Sequence, residues 1–317
     1  MHEPEKNRSD ELSRGYTSRI GEQEAGQRVD NYLMRRSPGV PKSHIYQLIR
    51  KGQVRVDGRR VKPDRKLQAG EQVRIPPMRL IKRETVRVPD EVATMLAEAV
   101  VVDHPDFLVI AKPPGMAVHG GTGIVFGVID ALRQQFGEPG LELVHRLDRG
   151  TSGCLLIARD LKRCRQLQAE FRERRVEKRY TALVAGCWPA QITKVDAALK
   201  KNVEHAGERR VQVDPLGLQA VSHFSVVQRL RNATLVDVRI DTGRTHQIRV
   251  HALHSGHPVV GDTRYGNNQS NAQFKRYGLA RLYLHARQLK FDWQGERTIV
   301  DVPPDESWQA AVGSLGQ

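Results

Sequence analysis

The chain has 317 residues, with 51 Lys and Arg against 36 Asp and Glu and a formal net charge of +15, a surplus that favours polyanionic partners and says nothing about fold. No segment approaches the roughly 20 apolar residues of a membrane span, and the polar first residues lack the apolar stretch of a secretory signal, so a soluble, cytoplasmic protein is expected. Aromatics make up only 5% of the chain, which disfavours a single-strand stacking platform and favours a basic surface that grips folded RNA or a duplex by its phosphates.

Residues 1–20 mix charges with Ser, Gly and Arg without a period and are expected to form a disordered tail. From Arg28 onward, Val29, Tyr32 and Leu33 fall at helical spacing, and the run closes at Ser37-Pro38-Gly39. Ser43 is a candidate N-cap for a second helix whose apolar face carries Ile45, Leu48 and Ile49. Arg50 and Lys51 followed by Gly52 mark its end. Asp57-Gly58 between two short apolar-alternating runs predicts a tight hairpin, and Glu71 to Ile75 a last strand. Residues 21–77 therefore form a small αβ module, and 78–97, which follow Pro76-Pro77 and include Pro89, read as a linker.

The remainder, 98–312, predicts strands at 99–102, 107–111, 154–158, 179–185, 233–240 and 282–291. Helices are predicted near 126–136, 161–173 and 245–255, the second with Leu161, Cys164, Leu167 and Phe171 as its buried stripe. Strands outnumber helices without regular βα alternation, which predicts an α+β domain on a mixed, mainly antiparallel sheet. There is no internal repeat. Cys154, Cys164 and Cys187 make no CxxC pair and are expected to be reduced, small apolar fillers.

The first module carries Arg28, Arg35, Arg36, Lys42, Arg50 and Lys51 on its helices and Arg55, Arg59 and Arg60 on its hairpin. Arginine this dense on a small unit is costly by self-repulsion unless a polyanion compensates it, so nucleic-acid binding is preferred to a merely solvated face. The run R-V-D-N-Y-L…V-P-K-S-H-I-Y-Q-L-I-R-K-G-Q-V-R-V-D-G-R-R-V-K…L-Q-A-G-E-Q-V-R-I resembles the S4 RNA-binding domain. That resemblance implies RNA contacts from Arg28, Lys42, Ser43, Gln47, Arg50, Lys51 and Arg55.

The segment His145-Arg146-Leu147-Asp148-Arg149-Gly150-Thr151-Ser152-Gly153 places one carboxylate between two arginines in a Gly- and Thr-rich loop. By spacing alone this is either a salt-bridged surface turn or a reactive site. Lys178-Arg179-Tyr180 opens a predicted strand and Gly243-Arg244-Thr245-His246-Gln247-Ile248-Arg249-Val250-His251 opens a predicted helix. With Ala111 to His119 these segments resemble the RluA-type family of pseudouridine synthases, across about residues 20–312.

The resemblance implies an enzyme that breaks the C–N glycosidic bond of a uridine, turns the uracil and joins its C5 to the same sugar carbon. The reaction changes no oxidation state and loses no group, so no cofactor and no metal are expected. Asp148 matches the catalytic carboxylate, as nucleophile on C1′ or as base at C2′. Arg249 matches the arginine that pairs with it, fixing its orientation. Tyr180 matches the tyrosine that stacks on the uracil and takes the C5 proton, and Ile248 packs on the other face. Arg146 matches the residue that enters the helical stack when the uridine is flipped out. Thr151, Arg244 and His246 are placed with them in substrate binding. Without the motif, Tyr180 would read as an ordinary strand tyrosine, Arg249 as a solvated helix arginine and Ile248 as core.

His246, His251, His254 and His257 match no metal-binding spacing and are read as helix-surface or RNA-facing. Gly150 departs from the family, where this subtype more often carries aspartate. The implied partner is large-subunit ribosomal RNA, with no membrane, and the chain is expected to be a monomer. Two other classes stay open: a non-catalytic RNA-binding factor, and a glycosidase, which normally needs two carboxylates flanking the bond where only Asp148 sits in a motif.

Overall fold

The computed structural model describes residues 14–37, 40–78, 87–121, 123–205 and 208–316. The chain divides into two units, Met1–Arg87 and Val88–Gln317.

In the first unit, β1 (Tyr16–Arg19) precedes helices α1 (Val29–Arg36) and α2 (Lys42–Arg50), then β2 (Arg55–Val56), β3 (Arg59–Arg60) and β4 (Gln72–Ile75). The sheet runs β1-β4-β2-β3. Asp57 and Gly58 both adopt positive φ, the conformation a two-residue hairpin turn requires. Tyr32, Leu33, Ile45, Leu48 and Ile49 of the helices close over Val56, Val73 and Ile75 of the sheet. Strand β1 pairs antiparallel with β4, Tyr16 opposite Ile75, within the segment expected to be a disordered tail. Residues 1–13 lie outside the described residues. Ser43 is not the N-cap of α2: that place belongs to Pro41, whose ring caps nothing, and Ser43 is the second residue of the helix. A proline fixes φ as the helix entry requires, so the serine is left exposed on the surface.

The second unit begins with α3 (Asp90–Glu98), which takes up the last part of the segment expected to be a linker. Pro89 is its N-cap, and Ala93 and Leu96 are buried in the core, so the proline opens a helix where its composition had suggested a spacer. Residues 79–86 of that linker lie outside the described residues. Then come β5 (Val100–Asp103), β6 (Phe107–Lys112), α4 (Val128–Phe136), β7 (Glu142–Leu143), β8 (Ser152–Ala158), α5 (Leu161–Arg172) and β9 (Glu177–Ala185). Next are β10 (Lys194–Asp196), β11 (Leu199–His205), β12 (Glu208–Val213), β13 (Val221–Leu230) and β14 (Ala233–Ile240). The chain ends with α6 (Gln247–His254), α7 (Asn268–Lys275), β15 (Leu284–Trp293), β16 (Glu296–Asp301) and α8 (Glu306–Gly313).

One sheet runs β10-β13-β14-β9-β15-β8-β6-β5, with β16 added to β15 and β7 to β8. Its pairings are antiparallel except for β15 with β8, so the domain is α+β on a mixed, mainly antiparallel sheet. Strand β8 is buried along its whole length, as a central strand must be. On one half of the sheet Leu108, Ile110, Leu155 and Ile157 pack with α3, α4 and α5 residues such as Leu96, Leu132 and Leu167. On the other half Ala182, Val236 and Val238 pack with Ile248 and Ala252 of α6. Leu183 and Tyr283 meet Phe274 and Trp308 of α7 and α8.

Candidate active site

The Asp148 loop joins β7 to β8, and its turn is closed by Thr151 N–H donating to the Asp148 carbonyl at 3.1 Å. Strand β8 starts at Ser152, and Gly153 at once approaches β15 so closely that a β-carbon would lie 2.2 Å from the Ala286 carbonyl oxygen. Its φ of +104° also favours glycine. The parallel pairing of β8 with β15 therefore fixes the exit of the loop, which leaves Asp148 partly exposed, its side chain 20% accessible.

Two turns bring its partners in. His246 caps α6 in a left-handed conformation, φ +56°, and so turns the chain into the helix at the mouth of the loop. Gln247, buried, accepts from Thr242 Oγ1 at 2.8 Å and from Arg244 N–H at 3.0 Å while donating to the Val221 carbonyl at 2.9 Å, which holds the approach to α6. Arg249, one turn on, donates from Nη1 to Asp148 Oδ2 at 3.1 Å. Its other N–H groups meet Asp262, Nε to Oδ2 at 2.7 Å and Nη2 to Oδ1 at 2.8 Å. Asp262 is buried, and its Oδ1 also accepts the backbone N–H groups of Arg264 and Tyr265. Burial pushes the Asp262 carboxyl up, but Arg249 and those amides outweigh it and hold it below its ordinary range. Gly261 makes this turn possible, with φ +74° and room for no β-carbon beside the Arg281 carbonyl.

Arg146, Asp148, Thr151, Tyr180, Arg244, His246, Ile248 and Arg249 line one cleft, together with Leu147, Ile240, Gly243, Gln247 and Leu284. The predicted catalytic and substrate residues thus come together from the β7–β8 loop, β9 and the start of α6. Arg146 is exposed at the rim. Arg244 is also at the surface, its Nε donating to the Gln219 carbonyl at 3.1 Å. Ile248 serves the cleft and the core at once. The Tyr180 phenol is held above its ordinary range, by burial first and by the Asp148 charge second; a neutral phenol is a flat face and a donor, with no resting base.

Four groups in or beside the site escaped the sequence reading. Lys112, at the end of β6, is buried and donates to the carbonyls of Pro113 (2.8 Å), Met116 (2.8 Å) and Arg149 (3.3 Å). Arg149 returns the tie, Nε to the Gly115 carbonyl at 2.8 Å. Burial pushes the Lys112 ammonium down to about 7, with Asp148 opposing. The other three are Gln247, Asp262 and Tyr265. The only signal for the last two was an acidic and an aromatic residue in the glycine-bounded stretch Gly261-Asp262-Thr263-Arg264-Tyr265-Gly266.

The clustered histidines go to different places. His251 is buried, bonded to Ser222 and to the Ala197 carbonyl, rather than facing solvent or RNA. His257 bonds the Ala185 carbonyl, and His254 is exposed. Cys187 is exposed and accepts from Arg229 at 2.6 Å, unlike the two buried cysteines. At Gly150 a β-carbon would lie 3.1 Å from Leu282 Cδ2 and 3.2 Å from its Cβ, so the loop is packed around a glycine here.

In the first unit, Lys42, Ser43, Gln47, Arg50 and Lys51 are exposed, and Ser43, Gln47, Arg50 and Lys51 share a concavity with Pro41, His44 and Tyr46. Arg28 stands apart: Asp30 chelates it, Nε to Oδ1 at 3.0 Å and Nη2 to Oδ2 at 2.6 Å. Arg55 spends its guanidinium on the hairpin, with Nη1 donating to the Gly58 carbonyl at 3.1 Å.

Residues 106–254 match the RNA pseudouridylate synthase family model, and residues 27–73 match the S4 domain. Ribosomal large subunit pseudouridine synthase C of Yersinia pestis is 46% identical over 302 residues, 93% of this chain and 94% of that protein. The protein of the same name from Escherichia coli (strain K12) is 45% identical over 299 residues, 92% of this chain and 94% of its own. Among solved structures, human RNA pseudouridylate synthase domain containing 4 superposes with a TM-score of 0.60 at 25% identity, over 71% of this chain and 96% of that one. Human RNA pseudouridylate synthase domain containing 1 gives a TM-score of 0.55 at 28% identity, over 65% and 83%.

Proposed function

The chain belongs to the RNA pseudouridylate synthase family, and on that premise we propose that it isomerises specific uridines of large-subunit (23S-type) ribosomal RNA, with Asp148 as its catalytic carboxylate. The observation that carries this reading is the Arg249–Asp148 pair at 3.1 Å, set in the same cleft as Tyr180, Ile248 and Arg146. The relatives' names support the substrate.

The chemistry follows from the cleft. A uridine inside a duplex hides its glycosidic carbon, so the base must leave the stack. Arg146, exposed at the rim, fills the gap. Tyr180 and Ile248 offer two flat or apolar surfaces to the extruded uracil, and the neutral Tyr180 phenol serves first as a stacking platform. Asp148 meets the sugar, either adding to C1′ or removing the C2′ proton. The C1′–N1 bond breaks, the uracil turns and C1′ joins C5, with the bond to Asp148 released or the C2′ proton returned by it, and the C5 proton leaves as N1 regains one. Arg249 acts on the carboxylate, and the S4 unit binds RNA through the exposed face of α2.

The test is a map of pseudouridine in ribosomal RNA from cells lacking the protein, complemented with wild type or with Asp148→Asn. Specific large-subunit sites should vanish and return only with wild type. Persistence of every site in the deletion would overturn the substrate, and restoration by Asp148→Asn would overturn the catalytic assignment.

A further inference from the structure

The His246 ring sits between two groups. Its Nδ1 lies 2.7 Å from the Tyr265 hydroxyl, and its Nε2 lies 3.8 Å from Asp148 Oδ2. Tyr265 is buried, and its hydroxyl already accepts the Val211 N–H at 3.1 Å. The Arg249 guanidinium lies 5.0 Å over the same tyrosine ring, and the Tyr265 N–H bonds Asp262 at 3.0 Å. One turn, residues 261–266, therefore reaches Asp148 by two routes, Asp262 through Arg249 and Tyr265 through His246.

The hydrogen-bond inventory decides the proton on the second route. A phenol has one proton to give and two lone pairs. Val211 takes one lone pair, so the Tyr265 proton needs an acceptor, and His246 Nδ1 is the one the site provides. If Nδ1 carried the proton instead, the buried Tyr265 O–H would lose its acceptor. The lone pair of Nε2 would then also face the Asp148 carboxylate oxygen. Both ends favour the same tautomer, with Nδ1 accepting and Nε2 protonated.

We propose that Tyr265 is a positioning residue for catalysis: its hydroxyl locks His246 as an Nε2–H donor aimed at Asp148 Oδ2. Arg249 approaches that same oxygen, at 3.1 Å. Arg249 bonds Oδ2, the His246 N–H 3.8 Å away adds its electrostatic pull on the same oxygen, and Oδ1 is thereby left to face the cleft as the oxygen that meets the sugar. The left-handed backbone of His246, unusual for a residue other than glycine, is what brings the ring into line with both partners. The catalytic part of this proposal rests on the assignment of Asp148, whereas the tautomer does not.

The experiment uses the full chain, uniformly 15N-labelled on histidine, without RNA. The His246 signals among the 12 histidines are assigned by their disappearance in His246→Gln. Wild type should show an acceptor-type Nδ1 and a protonated Nε2, and Tyr265→Phe should show a tautomer mixture. In single-turnover assays at saturating RNA, Tyr265→Phe should react about ten- to a hundredfold more slowly, the scale of a misplaced reacting group. Its half-saturating RNA concentration should stay within about twofold of wild type, since only the chemical step is affected. A protonated Nδ1 in wild type overturns the proposal without any variant. A tautomer and rate unchanged in Tyr265→Phe overturn it too. An active Asp148→Asn beside the expected tautomer would instead remove the catalytic reading and leave the Tyr265–His246 lock standing.

Discussion

Arg249 meets Asp262 side-on, Nε to Oδ2 at 2.7 Å and Nη2 to Oδ1 at 2.8 Å, which leaves Nη1 to reach Asp148. A planar fork can span two carboxylates in this way; an ammonium cannot reproduce it. Arg249→Met should destabilise the fold by about 3–5 kcal/mol, because the fully buried Asp262 side chain would lose its cation. Arg249→Lys should cost less stability yet still slow the reaction severely. Urea unfolding beside single-turnover rates reads both. A loss under about 1 kcal/mol for Arg249→Met, the scale of an exposed pair, would mean that Asp262 does not depend on this partner.

His145 gives the stability a pH dependence. Burial, with Lys178 nearby, pushes its imidazole down to about 3, and its Nε2 accepts the Leu156 N–H at 3.0 Å. Its unfolded value is 6.5, so between about 3 and 6.5 the unfolded chain binds more protons than the folded one. Stability from this group is full above pH 6.5 and is lost as pH falls through that window, at up to about 1.4 kcal/mol per unit. His145→Gln keeps an acceptor for Leu156 and cannot titrate, so it should lose stability less steeply than wild type. Equal slopes in chemical denaturation between pH 6.5 and 4.5 would exclude His145 as the cause.

The α2 face predicts how RNA binding responds to salt. Arg50 and Lys51 are exposed beside Gln47 and Ser43. Replacing both with alanine should lower affinity and flatten the log–log salt slope by roughly 1.5, since each phosphate contact contributes about 0.7–0.9. An unchanged slope in filter binding would show that this face does not lie on phosphates. Arg28→Ala should affect the slope less, because Asp30 already neutralises that charge.

Gly150 should tolerate little. Its missing β-carbon would sit 3.1–3.2 Å from Leu282, so Gly150→Asp should cost about 1–3 kcal/mol by overpacking. The double variant with Leu282→Ala should recover part of that loss. Strict additivity of the two changes in melting experiments would show that this contact is not the source of the cost.

The elements with strong local periodicity were legible from the chain alone. Helices Val29–Arg36, Lys42–Arg50 and Leu161–Arg172 carry apolar residues at spacings that only one backbone form can bury on one face. The Asp57-Gly58 turn needed two positive φ values and announced itself by composition. The motifs resembling a known family also marked Asp148, Tyr180 and Arg249 as candidates, and the structure brings the three into one cleft.

Other features depended on partners far along the chain. In strand β13 Val221, Ser222 and Phe224 are buried while Ser225 to Arg229 are all exposed, so no sustained alternation marks it. Pro89 resembled a linker residue because a helix start and a spacer use proline for the same fixed φ. Asp262 and Tyr265 lie 13 and 19 residues from the groups they hold, and Asp148 lies 101 from Arg249. No local period encodes such distances. The motifs marked the candidate residues, and the tertiary structure decided which oxygen of Asp148 is held, because hydrogen bonds and ion pairs act over a few ångströms and only the packed sheet brings those atoms that close.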